Sequence, residues 1–405
     1  MQLKNTSVRP PADMPGRLRL YGEVVYDDPV RQPEEYWFDV PEGYADYLSD
    51  SGNPWLACLI PLAVTLGEPL RLCRPVDRRM FDGVQQLMRI WKCWYPHLHI
   101  VPIEVDLVNM AGASTPSQTA VFFSGGVDSL FSTLRYSEGA PLSSPPGIDD
   151  LIFVWGFDIP LQNGEAFARV RDSFKRASAE LHKELVDVAT SLRTTYWRLA
   201  DWGLLAHGCG LISTGLVLEK RYCQLLVASS DGYFVMHPWG SHPVTDPLLS
   251  TNCTKVIHDG ATFDRVEKTE LVASSEVARR YLRVCWRSGT DQNCGSCEKC
   301  YRTMLTLELL GALNRCPTFR GKRLDVARAS KMYYPPAFIP VSTRQVRAFA
   351  LRKGRVDIAE AIDRAIRRSL RLNRWLRLVR RLKSMRFLWR WTVPLERALL
   401  RSALQ

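Results

Sequence analysis

The strongest constraint on this chain lies at residues 120–130, where Ala-Val-Phe-Phe runs into Ser124-Gly125-Gly126-Val127-Asp128-Ser129 and a helical pattern begins at once. Two successive glycines let a backbone turn sharply and approach a ligand closely. A helix that starts there presents free N–H groups and the positive end of its dipole, which together hold an anion. Ser124 and Ser129 add hydroxyl donors. Asp128 would repel a phosphate directly, so the expected roles for it are a magnesium ligand or a helix cap. This is neither a Walker loop nor a dinucleotide fingerprint, since G-x-x-x-x-G-K-S/T is absent and no G-x-G-x-x-G follows a strand.

The surroundings suit such a step. Strand-like runs at 120–123, 151–157, 184–189, 224–228, 255–258 and 282–285 alternate with helical patterns at 130–136, 165–182, 202–220 and 266–280. That alternation predicts βαβ units, an α/β fold with a parallel sheet and helices on both faces. Residues 116–315 read as this domain. Residues 1–115 show strand-like runs at 17–26 and 35–40 and an aromatic-rich helix at 81–94, an expected α+β accessory domain. The run 111–117, Ala-Gly-Ala-Ser-Thr-Pro-Ser, reads as a linker. Residues 316–405 read as a helical extension, with Ile362, Ala365, Leu372, Leu376 and Val379 on one stripe and arginines elsewhere on the wheel.

The chain of 405 residues has a net charge of +12, but residues 356–405 hold thirteen Arg and Lys against four Asp and Glu. Basicity therefore concerns the tail and says little about the rest. The longest apolar stretch, residues 55–66, contains a proline and is about half a bilayer-spanning length. Residues 1–30 carry prolines and charges where the apolar part of an export signal should lie. Eleven cysteines in such a chain predict a reducing cytoplasm and thiolate chemistry rather than disulfides.

Four of them follow the pattern Cys285-x8-Cys294-x-x-Cys297-x-x-Cys300. Two tight C-x-x-C steps can close four sulfurs around one tetrahedral ion, which suits structural zinc; an iron–sulfur cluster is also chemically possible. Arg283, Arg287, Lys299 and Arg302 stand around them and would lower the thiol pKa values.

Ser-Gly-Gly-Val-Asp-Ser resembles the signature of the PP-loop ATP pyrophosphatases, which cleave ATP between its α and β phosphates and adenylate a substrate. Together with Cys294-Gly295-Ser296-Cys297 and the cysteines on either side, it is similar to the 7-cyano-7-deazaguanine synthase family. The resemblance covers about 200 of the 405 residues. It implies ATP, Mg2+ and Zn2+ as cofactors, with the zinc structural. It implies that Ser124, Gly125, Gly126, Val127, Asp128 and Ser129 hold ATP, with Asp128, Ser129 and Arg265 in catalysis. Asp158, at the end of Gly-Phe-Asp, resembles the adenosine-contacting position at a strand's carboxyl end, where ligands bind in open sheets; a solvated cap is the plainer alternative. Gly208 and the polar loop of Ser241, His242 and Asp246 match the substrate positions. Arg265, in Asp264-Arg265-x-Glu267, stands where the family has lysine and could hold an anion by paired donors, or be a surface arginine of a first helical turn.

One departure is clear. Where the family reads Pro-Gly-Arg-Asn, this chain reads His207-Gly208-Cys209-Gly210, which removes a guanidinium with up to five donors. The expected activity is adenylation of the carboxylate of 7-carboxy-7-deazaguanine and transfer to an amine. Ammonia would lead to an amide and then a nitrile; an amine of a protein or peptide partner would stop at the amide. Enlarged relatives of the synthase occur outside the queuosine pathway, some in bacterial defence gene clusters. The competing expectations are a nucleotide-sensing zinc scaffold without catalysis and a PP-loop tRNA-modifying enzyme. For the tail, Trp375, Phe387, Trp389 and Trp391 among the arginines suit single-stranded nucleic acid or an anionic membrane surface. The plainer alternatives are a helix docked on its own protein or on a partner protein.

Overall fold

Near-continuous apolar strands need cover on both faces, and that requirement organises the centre of this protein. A computed structural model describes residues 1–109, 116–136, 147–285, 292–319, 321, 323–334 and 341–383. In chain order the elements begin with strands β1 (Gln2–Arg9), β2 (Arg17–Val25) and β3 (Glu34–Pro41), then helix α1 (Asn53–Leu66). Next come β4 (Leu70–Leu72), β5 (Val76–Asp77), α2 (Arg78–Trp94), β6 (Ile103–Glu104) and β7 (Leu107–Val108). The central run is β8 (Gln118–Phe122), α3 (Val127–Arg135), β9 (Asp150–Trp155), α4 (Gly164–Glu180), β10 (Glu184–Thr190), α5 (His207–Leu216), β11 (Tyr222–Ala228) and β12 (Lys255–Asp259).

Ten strands form one mixed, mostly parallel sheet in the order β12-β11-β8-β9-β10-β3-β2-β1-β4-β6. The five from β8 to β12 are all parallel to their neighbours within that group. Read from β10, their chain order is 3-2-1-4-5, so the direction of winding reverses between β8 and β11. In such sheets the crevice outside the carboxyl ends of the strands, at the reversal, is where ligands bind. Alternate residues bury on opposite faces. Ala120, Phe122, Ile152 and Val154 join a core with Leu56, Ile212 and Leu216 of α1 and α5. Phe123 and Phe153 pack edge-on against Phe174 of α4, on the other face.

Strands β1 to β4 and β6, all before residue 110, extend this same sheet rather than standing apart. β3 pairs antiparallel with β10, Asp39 opposite Ala189 and Phe38 opposite Thr190. Trp197 Nε1 donates to the Cys58 carbonyl at 2.6 Å, and Ser49, Ser51 and Asn53 all donate to the buried Glu219. The stretch that is too short to span a membrane is α1. It is buried from Asn53 through Val64, because a helix apolar all round must be covered on every side. Among the described residues no helix is long and apolar enough to cross a membrane.

The chain divides into two compact units, Met1–Thr262 and a second that begins at Phe263, so the expected boundaries at 115 and 315 do not coincide with them. The second unit is helical: α6 (Arg265–Ser274), α7 (Glu276–Tyr281), α8 (Glu298–Leu309), α9 (Val326–Ala329), α10 (Ser342–Arg352) and α11 (Val356–Lys383). Val266, Leu305, Phe349, Ile358 and Ile362 meet in its core. Two expectations fail here. The helix read at 266–280 is broken at Ser275, which adopts extended backbone and caps α7 by accepting from Ala278 N. Residues 282–285 form no strand. The Asn293 side chain takes their backbone groups instead, accepting from Val284 N and Cys285 N and donating to the Leu282 carbonyl. Most of the expected linker (111–115), Arg287 and the tail from residue 384 lie outside the described residues.

Candidate functional site

The apolar β8 delivers the chain to the carboxyl edge of the sheet, and Phe123 N holds the Ile152 carbonyl at 2.7 Å as the strand ends. Gly125 then takes a φ of 70°, a left-handed conformation that favours glycine. Gly126 is extended and caps α3, which starts at Val127. Ser129 Oγ lies 3.3 Å from Ser124 N and donates to the Gly126 carbonyl at 3.2 Å, so a buried hydroxyl bridges the loop. Gly126 N lies 3.4 Å from Ser124 Oγ. Ser124 is exposed, and Asp128 is half-buried in the first turn of α3. The result is a glycine loop with a helix N-terminus at the winding reversal, a cradle suited to an anion.

Asp259, at the carboxyl end of β12, fixes that helix. Its buried carboxylate accepts from Ser132 Oγ at 2.5 Å, Tyr136 Oη at 2.6 Å and an Arg135 guanidinium nitrogen at 3.1 Å. Sequence reading missed Asp259, because a carboxylate that closes a strand looks like any edge residue until the helix packed on it is known. Asp158 lies exposed just beyond β9, after Gly156 makes its turn at φ 105° against the Thr190 carbonyl. It therefore sits at the same carboxyl edge, one strand over from the glycine loop.

The residues matched to a substrate loop do come together. Gly208 N donates to the Gly240 carbonyl at 2.7 Å, and a Cβ on Gly208 would stand 2.6 Å from Asp246 Oδ1. Asp246 is itself buried and spends its oxygens inside the loop. It accepts from Ser241 Oγ at 2.7 Å and His242 N at 3.1 Å, with His258 Nδ1 at 2.8 Å. It holds the loop's shape, Ser241 Oγ included; His242 is the member that borders open space. The His242 ring meets Trp94 edge-on at 4.8 Å, and both border a groove of about 450 Å³ with Arg89, Ile90, Met236 and Pro238. Trp94, Arg89 and Met236 carry no recognisable signature in sequence. His242 Nδ1 accepts from Val244 N at 3.1 Å, and burial lowers its pKa from the ordinary value.

The departure at residues 207–210 has a packing reason. Cys209 is 3% exposed, where a guanidinium would have no water, and burial pushes its thiol well above the ordinary range. A Cβ on Gly210 would meet Trp197 at 3.1 Å and Phe157 at 3.2 Å. Cys209 is a packing residue.

The second unit holds Arg265 and the four cysteines. Asp264 and Glu267 form a reciprocal capping box on α6: Asp264 accepts from Val266 N and Glu267 N, and Glu267 accepts from Asp264 N. These acids are thereby explained as helix chemistry. Arg265 is half-buried in that first turn, its N–H on Gln345 Oε1 at 3.2 Å.

The sulfur ligand atoms of Cys285, Cys294, Cys297 and Cys300 all lie within 4.8 Å of one another. Gly295, at φ 64°, turns the chain so that Ser296 N and Cys297 N reach Cys294 Sγ at 3.4 and 3.3 Å. Burial raises the Cys294 thiol, but these donors and Ser296 Oγ outweigh it and bring its pKa below the ordinary value. Cys297 caps α8 and Cys300 lies in its first turn, at the positive end of the helix. A hydrogen bond with Cys285 pushes Cys297 up to about 11 against a lowering by Cys300, and Cys285 and Cys297 together push Cys300 higher still. A cation among them reverses that penalty. The group could hold a metal such as zinc, and Asn293, 1% exposed, is the positioning residue that sequence reading missed. All eleven cysteines are free thiols.

Comparison of the chain with protein-family models, with curated proteins and with solved structures found no match in any of the three.

Proposed function

We propose that this chain is an ATP-dependent carbon–nitrogen ligase of the PP-loop type, acting on the carboxylate of a 7-deazaguanine base. The observation that carries the reading is the Ser124-to-Ser129 glycine loop, seated at the winding reversal with a helix N-terminus behind it. The pyrophosphate part of ATP lies on that loop, with backbone N–H groups and hydroxyls as donors. Asp128 holds magnesium, which when bound neutralises phosphate charge. A carboxylate oxygen of 7-carboxy-7-deazaguanine attacks the α-phosphorus, the bond to the β-phosphate oxygen breaks, and pyrophosphate leaves. Positioning and charge neutralisation supply the catalysis of such a displacement. An amine then attacks the acyl carbon, the C–N bond forms, AMP departs and the nitrogen loses a proton.

The groove beside His242, with its aromatic and thioether lining, suits a planar base or the acceptor that approaches it. For the four-cysteine group, an ion bound by four sulfurs at about 2.3 Å holds them about 3.8 Å apart. The Sγ separations of 4.0 Å for Cys285–Cys297 and 3.7 Å for Cys294–Cys300 favour one zinc over a cluster spread across several irons. That zinc is structural.

The test is purified protein with ATP, magnesium, 7-carboxy-7-deazaguanine and ammonium, read by mass spectrometry. AMP with the amide or nitrile supports the ligase with ammonia as acceptor. AMP that depends on the base, without either product, supports the adenylate and directs the search to a protein amine. AMP formation that ignores the base, or no AMP at all, overturns the substrate assignment.

A further inference from the structure

The long helix α11 carries a second feature that the proposed reaction does not use. From residue 364 to 377 it contains six arginines and no acid. Arg364, Arg367, Arg368 and Arg371, with Leu372 and Trp375, line a groove of about 520 Å³. Positions 364, 367, 371 and 375 recur at steps of three and four and so share one helix face. At about 1.5 Å per residue, the first and last of these arginines stand about 10 Å apart along the axis, with Trp375 one turn further on. Trp375 is 59% exposed, unusual for the largest apolar side chain. Arg364 pairs with Glu360 across 3.2 Å, but both are half or more exposed, and such surface pairs exchange readily for another anion.

We propose that this arginine groove binds single-stranded nucleic acid, with phosphates on Arg364, Arg367 and Arg371 and a base stacked on Trp375. Charge and an open aromatic face on one helix are what a sequence-tolerant strand-binding surface needs. A membrane surface fits less well, because an amphipathic helix binds lipid through its apolar face. Most of that face of α11 is turned inward: Ile358, Ala361, Ile362, Ala365, Leu376 and Val379 are all buried, and the exposed Leu370, Trp375 and Leu378 stand among the arginines. Polar side chains of the same helix are also committed inward, with Ser369 accepting from Tyr334 N at 3.0 Å and Asn373 from Tyr333 Oη at 2.6 Å.

The experiment is fluorescence anisotropy of the full chain with labelled single-stranded RNA and DNA 15-mers, across a salt series. The same chain is then tested with the duplex and with anionic phosphatidylserine vesicles. The expected result is strand binding that weakens steeply with salt. Arg367→Gln with Arg371→Gln lowers the slope of log affinity against log salt by about 1.4, since each phosphate contact on a single strand contributes about 0.7. Trp375→Ala weakens binding about 5- to 150-fold with the slope unchanged, the range for loss of one stacked base. These side chains are exposed, so the variants keep the wild-type melting temperature. Binding left intact by all three substitutions, binding to vesicles without binding to strands, or preference for the duplex each overturns the proposal. None of these outcomes bears on ATP turnover, which is read separately.

Discussion

His258 Nδ1 lies 2.8 Å from Asp246 Oδ2, and the two side chains are 4% and 2% exposed. Through this contact β12 grips the loop that carries Ser241 and His242, and the same carboxylate accepts from Ser241 Oγ and His242 N. Asp246→Asn keeps the volume but replaces one acceptor oxygen by a donor, leaving a buried partner unsatisfied. The expected cost is about 1–3 kcal/mol, read as a lower urea midpoint with an unchanged slope. Hydrogen exchange at residues 240–246 should rise as well. An unchanged midpoint would show that the loop is held by its packing alone.

The glycine loop offers a sharper separation of stability from chemistry. Gly125→Ala forces an L-residue to φ 70° and should destabilise the fold by about 1–2 kcal/mol while reducing AMP release. Asp128→Asn should leave the melting temperature near wild type and abolish AMP release, because the asparagine keeps the shape and loses the charge. Steady AMP release from the asparagine variant would remove magnesium binding from Asp128.

The sheet was legible in sequence because its strands are short, apolar and spaced by amphipathic helices. Every strand read from residues 118 to 259 is present to within a few residues. What failed at residues 282–285 was the assumption that an apolar run pairs with another backbone; there the Asn293 amide serves as the neighbour, a contact that only folding creates. The union of the N-terminal strands with the central sheet was equally hidden, since an antiparallel pairing of β3 with β10 leaves no periodic signal across some 150 residues. Candidate site residues defined by backbone demands, such as Gly125, Gly295 and the cysteines, were readable. Those defined by packing, such as Asp259 and Trp94, were not.

Asn293 gives the four-cysteine group its own prediction. Cys300→Ser should reduce bound zinc from one per chain toward none by elemental analysis, and should lower the melting temperature. Asn293→Ala leaves all four thiols in the chain but releases the backbone that carries Cys285. Its expected effect is a 10- to 100-fold weaker zinc affinity, the range for loss of outer support around a metal. If affinity is unchanged in this variant, the amide positions nothing that the metal feels.

The last prediction concerns acid. His242 Nδ1 accepts from Val244 N, which requires the neutral ring, and the ring packs against Trp94. Burial is the largest influence and lowers the pKa below 6.5; His258 and His237 act in the same direction, and Asp246 opposes them. Between the lowered folded value and 6.5 the unfolded chain binds more protons, so stability rises with pH in that window. The contribution of His242 is therefore complete above about 6.5 and is lost as the pH falls through the folded value. Urea unfolding at pH 7.5 and 5.5 tests this against His242→Gln, which has no proton to bind. The wild type should lose more stability on acidification than the variant does. Equal losses would mean that His242 protonates as freely in the folded loop as in the open chain, and that its Nδ1 does not hold the Val244 amide in solution.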